Sequence, residues 1–160
     1  QTKRYKVNIP AGVKDGTRIR VAGKGEAGVR GAPSGDLFVT IQVAPSPVFK
    51  RLDDGNLEVD VPISVAEAMR GGTVEVPTLS GTKRIRVQPG TQNGAIQRLR
   101  GEGPPKAGGK GGRGDIRYRL NVVIPKELTD DQRRAVDQLA EAMNGEDPRA
   151  ELLRRAKARS

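Results

Sequence analysis

Neither cysteine nor histidine occurs among the 160 residues. Disulfides, thiol nucleophiles, the imidazole base of a catalytic triad and nearly every zinc-ligand set are therefore excluded from this chain. Tryptophan is absent as well, and only four aromatic rings exist, Tyr5, Phe38, Phe49 and Tyr118. That is too few for the stacking platforms on which single-stranded nucleic acid lies. No run approaches the roughly 18 consecutive apolar residues of a membrane span, and Gln1-Thr2-Lys3-Arg4 lacks the apolar stretch of a signal peptide. A soluble segment with no membrane partner is the expectation. Because the chain starts on Gln and runs straight into a strand-like pattern, it is expected to be a piece of something longer, with localisation signals upstream.

What remains for chemistry is carboxylate, and Asp53-Asp54 is the obvious pair. Its setting, Asp53-Asp54-Gly55-Asn56, favours a turn between strands over a catalytic dyad. The formal charge of +10 invites a nucleic-acid reading, but its distribution is uneven. Residues 83–119 hold ten basic and two acidic side chains, residues 51–82 two and six, and residues 126–147 three and seven. Solvated charge accounts for this better than a phosphate-binding face, and no nucleic-acid partner is expected.

The glycines record a duplication. Gly12-x3-Gly16-x6-Gly23-x-Gly25 recurs as Gly90-x3-Gly94-x6-Gly101-x-Gly103, an offset of 78, and Gly35-Asp36 returns as Gly114-Asp115, an offset of 79. Between them Val7 and Ile9 alternate with polar neighbours as Ile85 and Val87 do, and Ile19-Arg20-Val21 corresponds to Gln97-Arg98-Leu99. Leu37, Val39, Ile41 and Val43 share one face of a strand, matched by Ile116, Tyr118, Leu120 and Val122. A period of two marks half-buried strands. The second copy has an added front end, with Leu57, Val59, Val61 and Ile63 alternating, then a short helix, then Val74-Glu75-Val76 extended. Its counterpart in the first copy would fall before residue 1, so the first module is expected to be incomplete.

Two helices carry capping boxes, Ser64-Val65-Ala66-Glu67 and Thr129-Asp130-Asp131-Gln132. Gly71-Gly72 ends the first. The second places Val136, Leu139, Ala140 and Met143 on one face and stops at Asn144-Gly145. Asp147-Pro148 is read as the N-cap and first position of a final basic helix, with Leu152 and Leu153 as its few apolar residues, in a tail expected to fray. Two glycine strings are decoys. Gly23-Lys24-Gly25-Glu26-Ala27-Gly28 has the spacing of a dinucleotide site, but the loop Arg30-Gly31-Ala32-Pro33-Ser34-Gly35 follows where a helix N-terminus is required. Gly108-Gly109-Lys110-Gly111-Gly112-Arg113-Gly114 lacks the Ser or Thr that would take Mg²⁺ after a Gly-Lys pair, and reads as a mobile hairpin loop.

Several motifs then occur in one order. Ile9-Pro10-Ala11-Gly12-Val13-Lys14-Asp15-Gly16-Thr17-Arg18-Ile19-Arg20, followed by Gly23-x-Gly25-Glu26 and Gly35-Asp36-Leu37, closely resembles the C-terminal region of DnaJ-family co-chaperones. So do Phe49-Lys50-Arg51, Val76-Pro77-Thr78-Leu79-Ser80-Gly81 and Arg98-Leu99-Arg100-Gly101-Glu102-Gly103. The likeness runs from about Tyr5 to Met143. Two departures are Ser46, where the family often has His, and the tail after Pro148, which matches no family motif.

The resemblance implies an all-β fold of two tandem β-sandwich-like modules followed by a C-terminal α-helix. The divisions are residues 1–45 for the rest of the first client-binding module, 46–124 for the second, and 125–160 for a dimerisation helix and basic tail. It implies that unfolded polypeptide is held, that the chain pairs as a homodimer, and that a cytoplasmic parent delivers its client to the DnaK chaperone. Delivery requires a J-domain with a His-Pro-Asp tripeptide, which a chain without His lacks. Many relatives also carry a zinc region just before the strand corresponding to Lys6–Ile9. Zinc therefore belongs upstream if anywhere, and no cofactor is expected in this segment. Client contact is assigned to Tyr5, Val7, Ile19, Val21, Phe38 and Phe49. Phe38 qualifies because it lies on the polar face of its strand where the duplicate has Arg117. Ile19 and Val21 fit either the floor of a pocket or the core. The resemblance adds Tyr5, near the strand that lines the family's pocket, and Phe49 at the junction of the modules. Dimerisation is assigned to Val136, Leu139 and Met143. The alternative from another class is a basic β-module that binds RNA or the ribosome.

Overall fold

The computed structural model describes residues 2–106 and 111–159. They form two compact units, Gln1–Val123 and Ile124–Ser160, each considered by itself.

In the first unit β1 (Arg18–Val21) and β2 (Leu37–Thr40) pair antiparallel as a two-stranded sheet. The rest is built around β4 (Leu57–Ser64) and β8 (Ile116–Val123), which run parallel over eight residues. Outside them lie the two-residue β3 (Lys50–Arg51) against β4 and β7 (Ala95–Leu99) against β8, both antiparallel. A second layer is the hairpin of β5 (Gly72–Thr78) and β6 (Gly81–Val87). The chain is thus mainly β, with helices confined, among the described residues, to α1 (Val65–Arg70) and the second unit.

Alternation decides which residues meet. Leu57, Val59, Val61 and Ile63 leave β4 on one face, in register with Ile116, Tyr118, Leu120 and Val122 of β8. Except for the partly buried Val122, all are buried, and Ala68 of α1, Val76 of β5 and Val87 of β6 join them in one core. Full burial of one such side chain contributes about 1.5–3 kcal/mol. The Tyr118 hydroxyl reaches through the core and donates to Pro77 O at 2.6 Å, while burial raises its pKa. Between β4 and β5, α1 begins on the expected capping box, with Ser64 Oγ accepting from Glu67 N–H and Glu67 Oε1 from Ser64 N–H.

No residue of the first 45 reaches full burial among those described. The alternating segment around Val7 and Ile9 is not a strand, which corrects the sequence reading. Its duplicate β6 is held by hydrogen bonds to β5, and nothing in the described chain occupies that place for the first copy. Likewise β2 ends at Thr40, short of Val43.

The second unit holds α2 (Asp130–Ala142) and α3 (Ala150–Ala158). The Thr129–Gln132 capping box opens α2 in both directions. For α3 the start is corrected by two residues, with Arg149 at the N-cap position. The Asp147 carboxylate still accepts from Arg149 N–H at 2.9 Å, so the residue identified as the cap serves the turn that leads into the helix. The tail is helical rather than frayed, braced on its surface by Glu151 with Arg154 and Arg155. Gly108, Gly109 and Lys110 of the glycine-rich loop lie outside the described residues.

Candidate functional site

The repeated glycines build the same device twice. Gly12, Gly16 and Gly23 have φ of 76°, 82° and 70°, against 79°, 85° and 71° for Gly90, Gly94 and Gly101. These left-handed values make side chains unfavourable there. Gly23 N–H donates to Asp36 Oδ1 at 3.0 Å and Gly101 N–H to Asp115 Oδ1 at 2.9 Å. Gly25 N–H meets Gly35 O, and Gly103 N–H meets Gly114 O, both at 2.8 Å. Arg20 pairs with Asp36 as Arg98 does with Asp115. Even the far ends agree, since Val43 N–H donates to Asp15 and Val122 N–H to Asn93, each at 2.8 Å. The Asp36 carboxyl lies below the usual carboxylate range, first because of the Gly23 N–H and then because of Arg20.

The six side chains assigned to client contact do not converge on one face. Ile19 and Val21 pair across the ladder with Val39 and Leu37 and share their half-buried face. The matching face in the second repeat carries Tyr118 and Ile116 into the core. Phe38 points the other way, is 51% exposed, and has the Arg18 guanidinium 4.5 Å from its ring centre. Tyr5 is exposed, with the Lys24 ammonium 5.7 Å from its ring centre. Val7 is half-buried. Phe49 packs in part against the core of the second repeat.

Phe49 also lines an open cleft of about 1140 Å³ where the two repeats meet. Sequence reasoning missed what shapes it. Arg51 of β3 reaches back to the first repeat, donating to Val13 O at 2.9 Å and Gly12 O at 2.6 Å. Ser46 Oγ accepts from both Val48 N–H and Phe49 N–H, which fixes the connecting segment. The contact of a guanidinium with main-chain oxygens nearly forty residues away leaves no periodic trace. The sequence shows Arg51 only as part of the motif Phe49-Lys50-Arg51.

The acidic pair is a turn, as expected. Asp54 Oδ1 accepts from Asn56 N–H, which together with Arg117 holds its carboxyl below the usual range, and Gly55 takes φ 85°. Four of the ten cations in residues 83–119 pair with carboxylates. Lys83 pairs with Glu102, Arg98 with Asp115, Arg117 with Asp54 and Arg119 with Glu58. These pairs remove cations from any phosphate-tracking stripe. Among the described residues no acidic cluster fits a metal ion, and thiolate or imidazole donors do not occur in the chain. No helix of the described residues is long and apolar enough to cross a membrane. In the second unit Val136, Leu139 and Met143 are all exposed, spaced for one face of α2 and its C-cap.

Comparison with known proteins places these features. The DnaJ C terminal domain family matches residues 1–125. Chaperone protein DnaJ 2 of Nocardia farcinica is 49% identical over 152 residues, covering 94% of this chain and 39% of the relative. Chaperone protein DnaJ of Caldicellulosiruptor saccharolyticus is 44% identical over 144 residues, 90% and 37% of the two chains. Chaperone protein DnaJ 1 of Streptomyces avermitilis is 46% identical over 157 residues, 98% and 39%. The chain spans about two fifths of the length of these curated relatives.

Proposed function

The chain belongs to the DnaJ family through its C-terminal domain, and on that premise we propose that it is the client-holding and dimer-forming part of a co-chaperone with no reaction of its own. The observation that carries this reading is the family match over residues 1–125. The geometry supports it. Extended polypeptide is held by backbone hydrogen bonds at a sheet edge together with shallow apolar pockets for alternate side chains, a weak and sequence-tolerant mode. Phe38 and Tyr5 stand exposed in the first repeat. The parent would act in the cytoplasm and pass its client to a DnaK-type chaperone through a J-domain. Without His this segment does not stimulate that partner. Zinc, if the parent holds it, finds no thiolate or imidazole donor here.

The test is binding of a short apolar peptide to the full-length parent and to folded Phe38→Ser and Phe49→Ser variants. Loss of affinity by severalfold in either supports client contact in the first repeat and at the junction. Unchanged affinity in both removes these surfaces. Dimerisation through Val136, Leu139 and Met143 is checked by light scattering on chains with and without residues 126–160. A dimer that becomes a monomer on truncation is expected, and a monomer in both states at high concentration removes the helix from the reading.

A further inference from the structure

We propose that the cleft between the repeats, which includes the junction residue Phe49, is a polypeptide subsite selective for an apolar side chain flanked by acidic residues. It rests on the client-holding reading and adds charge selectivity to it. The cleft, at about 1140 Å³, is large enough for several side chains. Its apolar surface comes from several segments of the chain, among them those of Val43, Phe49 and Leu79. Val43 follows β2, Phe49 precedes β3, and Leu79 sits in the β5–β6 turn with 47% of its surface exposed. Three apolar side chains gathered in one concavity differ from single exposed residues, which are ordinary on any surface.

The charges around this floor lean positive. Lys14, Lys50 and Lys106 line the cleft, and none forms an ion pair among the described residues. Three carboxylates also line it, and one of them, Asp54, is offset by a cation outside the lining. Asp15 accepts from Val43 N–H, and Asp54 is engaged by Asn56 N–H and by Arg117 at 2.9 Å. With Asp54 offset by Arg117 from outside the lining, the four cations Lys14, Lys50, Arg51 and Lys106 stand against the two carboxylates of Asp15 and Asp53. Complementary potential favours an acidic segment and disfavours a basic one. The walls are set in advance, because Arg51 ties the second repeat to Gly12 and Val13 while Ser46 holds the backbone of Val48 and Phe49. A pre-arranged cleft spares the bound chain part of the ordering cost.

The experiment uses the full-length parent and three labelled peptides that share one leucine-rich centre and differ only in their flanks, Glu, Ser or Lys. Fluorescence anisotropy at low salt is expected to rank them Glu, Ser, Lys, with about tenfold between the extremes, as three exposed charge pairs would give. The triple variant Lys14→Glu, Lys50→Glu, Lys106→Glu changes only exposed side chains, and its melting curve verifies folding. It is expected to invert the ranking. Leu79→Ser, also exposed, is expected to weaken all three peptides severalfold and keep their order. Equal binding of the three peptides to the wild type, or a ranking unmoved by the charge reversal, overturns the subsite and leaves client holding intact. Binding of none of them overturns both.

Discussion

The two repeats share one hairpin and differ in what covers it. In the second, β7 and β8 lie against β4, α1 and the β5–β6 layer, and Tyr118 and Val87 are wholly buried. In the first, β1 and β2 keep the same register, the same glycine turns and the same aspartate on a turn amide, yet Ile9 is 58% exposed where its duplicate Val87 has no exposure at all. The hairpin geometry is therefore local, written in glycines and one Asp per copy, while burial is supplied by other segments. Local hydrogen bonds hold the hairpin in both repeats, and the covering segments β4, α1 and β5 lie within the described chain for the second repeat.

That division is broken most directly by truncating equivalent core positions. Tyr118→Ala removes a buried ring and its bond to Pro77 O, and is expected to cost about 3–5 kcal/mol by denaturant unfolding. Val39→Ala, at the matching position, is expected to cost less than about 1 kcal/mol because the side chain is half in water already. Equal costs would show that the first repeat has a core of its own. A smaller effect should follow at the paired glycines. A Cβ on Gly103 would stand 2.6 Å from Gly114 C, and one on Gly25 would stand 2.5 Å from Asp36 O, backbone atoms in both cases. Overpacking of this kind costs about 1–3 kcal/mol. Gly103→Ala is expected to lower global stability, whereas Gly25→Ala should speed amide exchange only near β1 and β2. The smallest effect concerns pH. Asp36 has a lowered folded pKa, so its contribution is present above the ordinary carboxylate value and fades as the pH falls through the lowered one. The Gly23 amide should lose protection on acidification, and Asp36→Asn should abolish that dependence. An unchanged profile in the variant would assign it to another group.

Periodicity and glycine spacing made the hairpins, the capping boxes at Ser64 and Thr129, and the Asp53-Asp54 turn legible from sequence alone. Each is local, with its partners within a few residues or at a repeated spacing. The strand expected at Val7 and Ile9 failed for the complementary reason, because alternation states a preference and only a neighbouring strand can satisfy it. The binding surface was less legible. Phe38 stood out against Arg117, but its stacking under Arg18 and its separation from Ile19 and Val21 follow from pairing across a ladder. The cleft depends on Arg51 crossing to Gly12 and Val13, which no short window of sequence records.

Amide hydrogen exchange on the full-length parent, with and without a saturating apolar peptide, tests where the client is held. Slower exchange is expected at Leu37–Thr40 and around Phe49, with β7 and β8 unchanged. Protection confined to β7 and β8, or spread equally over both repeats, would contradict the assignment of client contact to the first repeat and its junction.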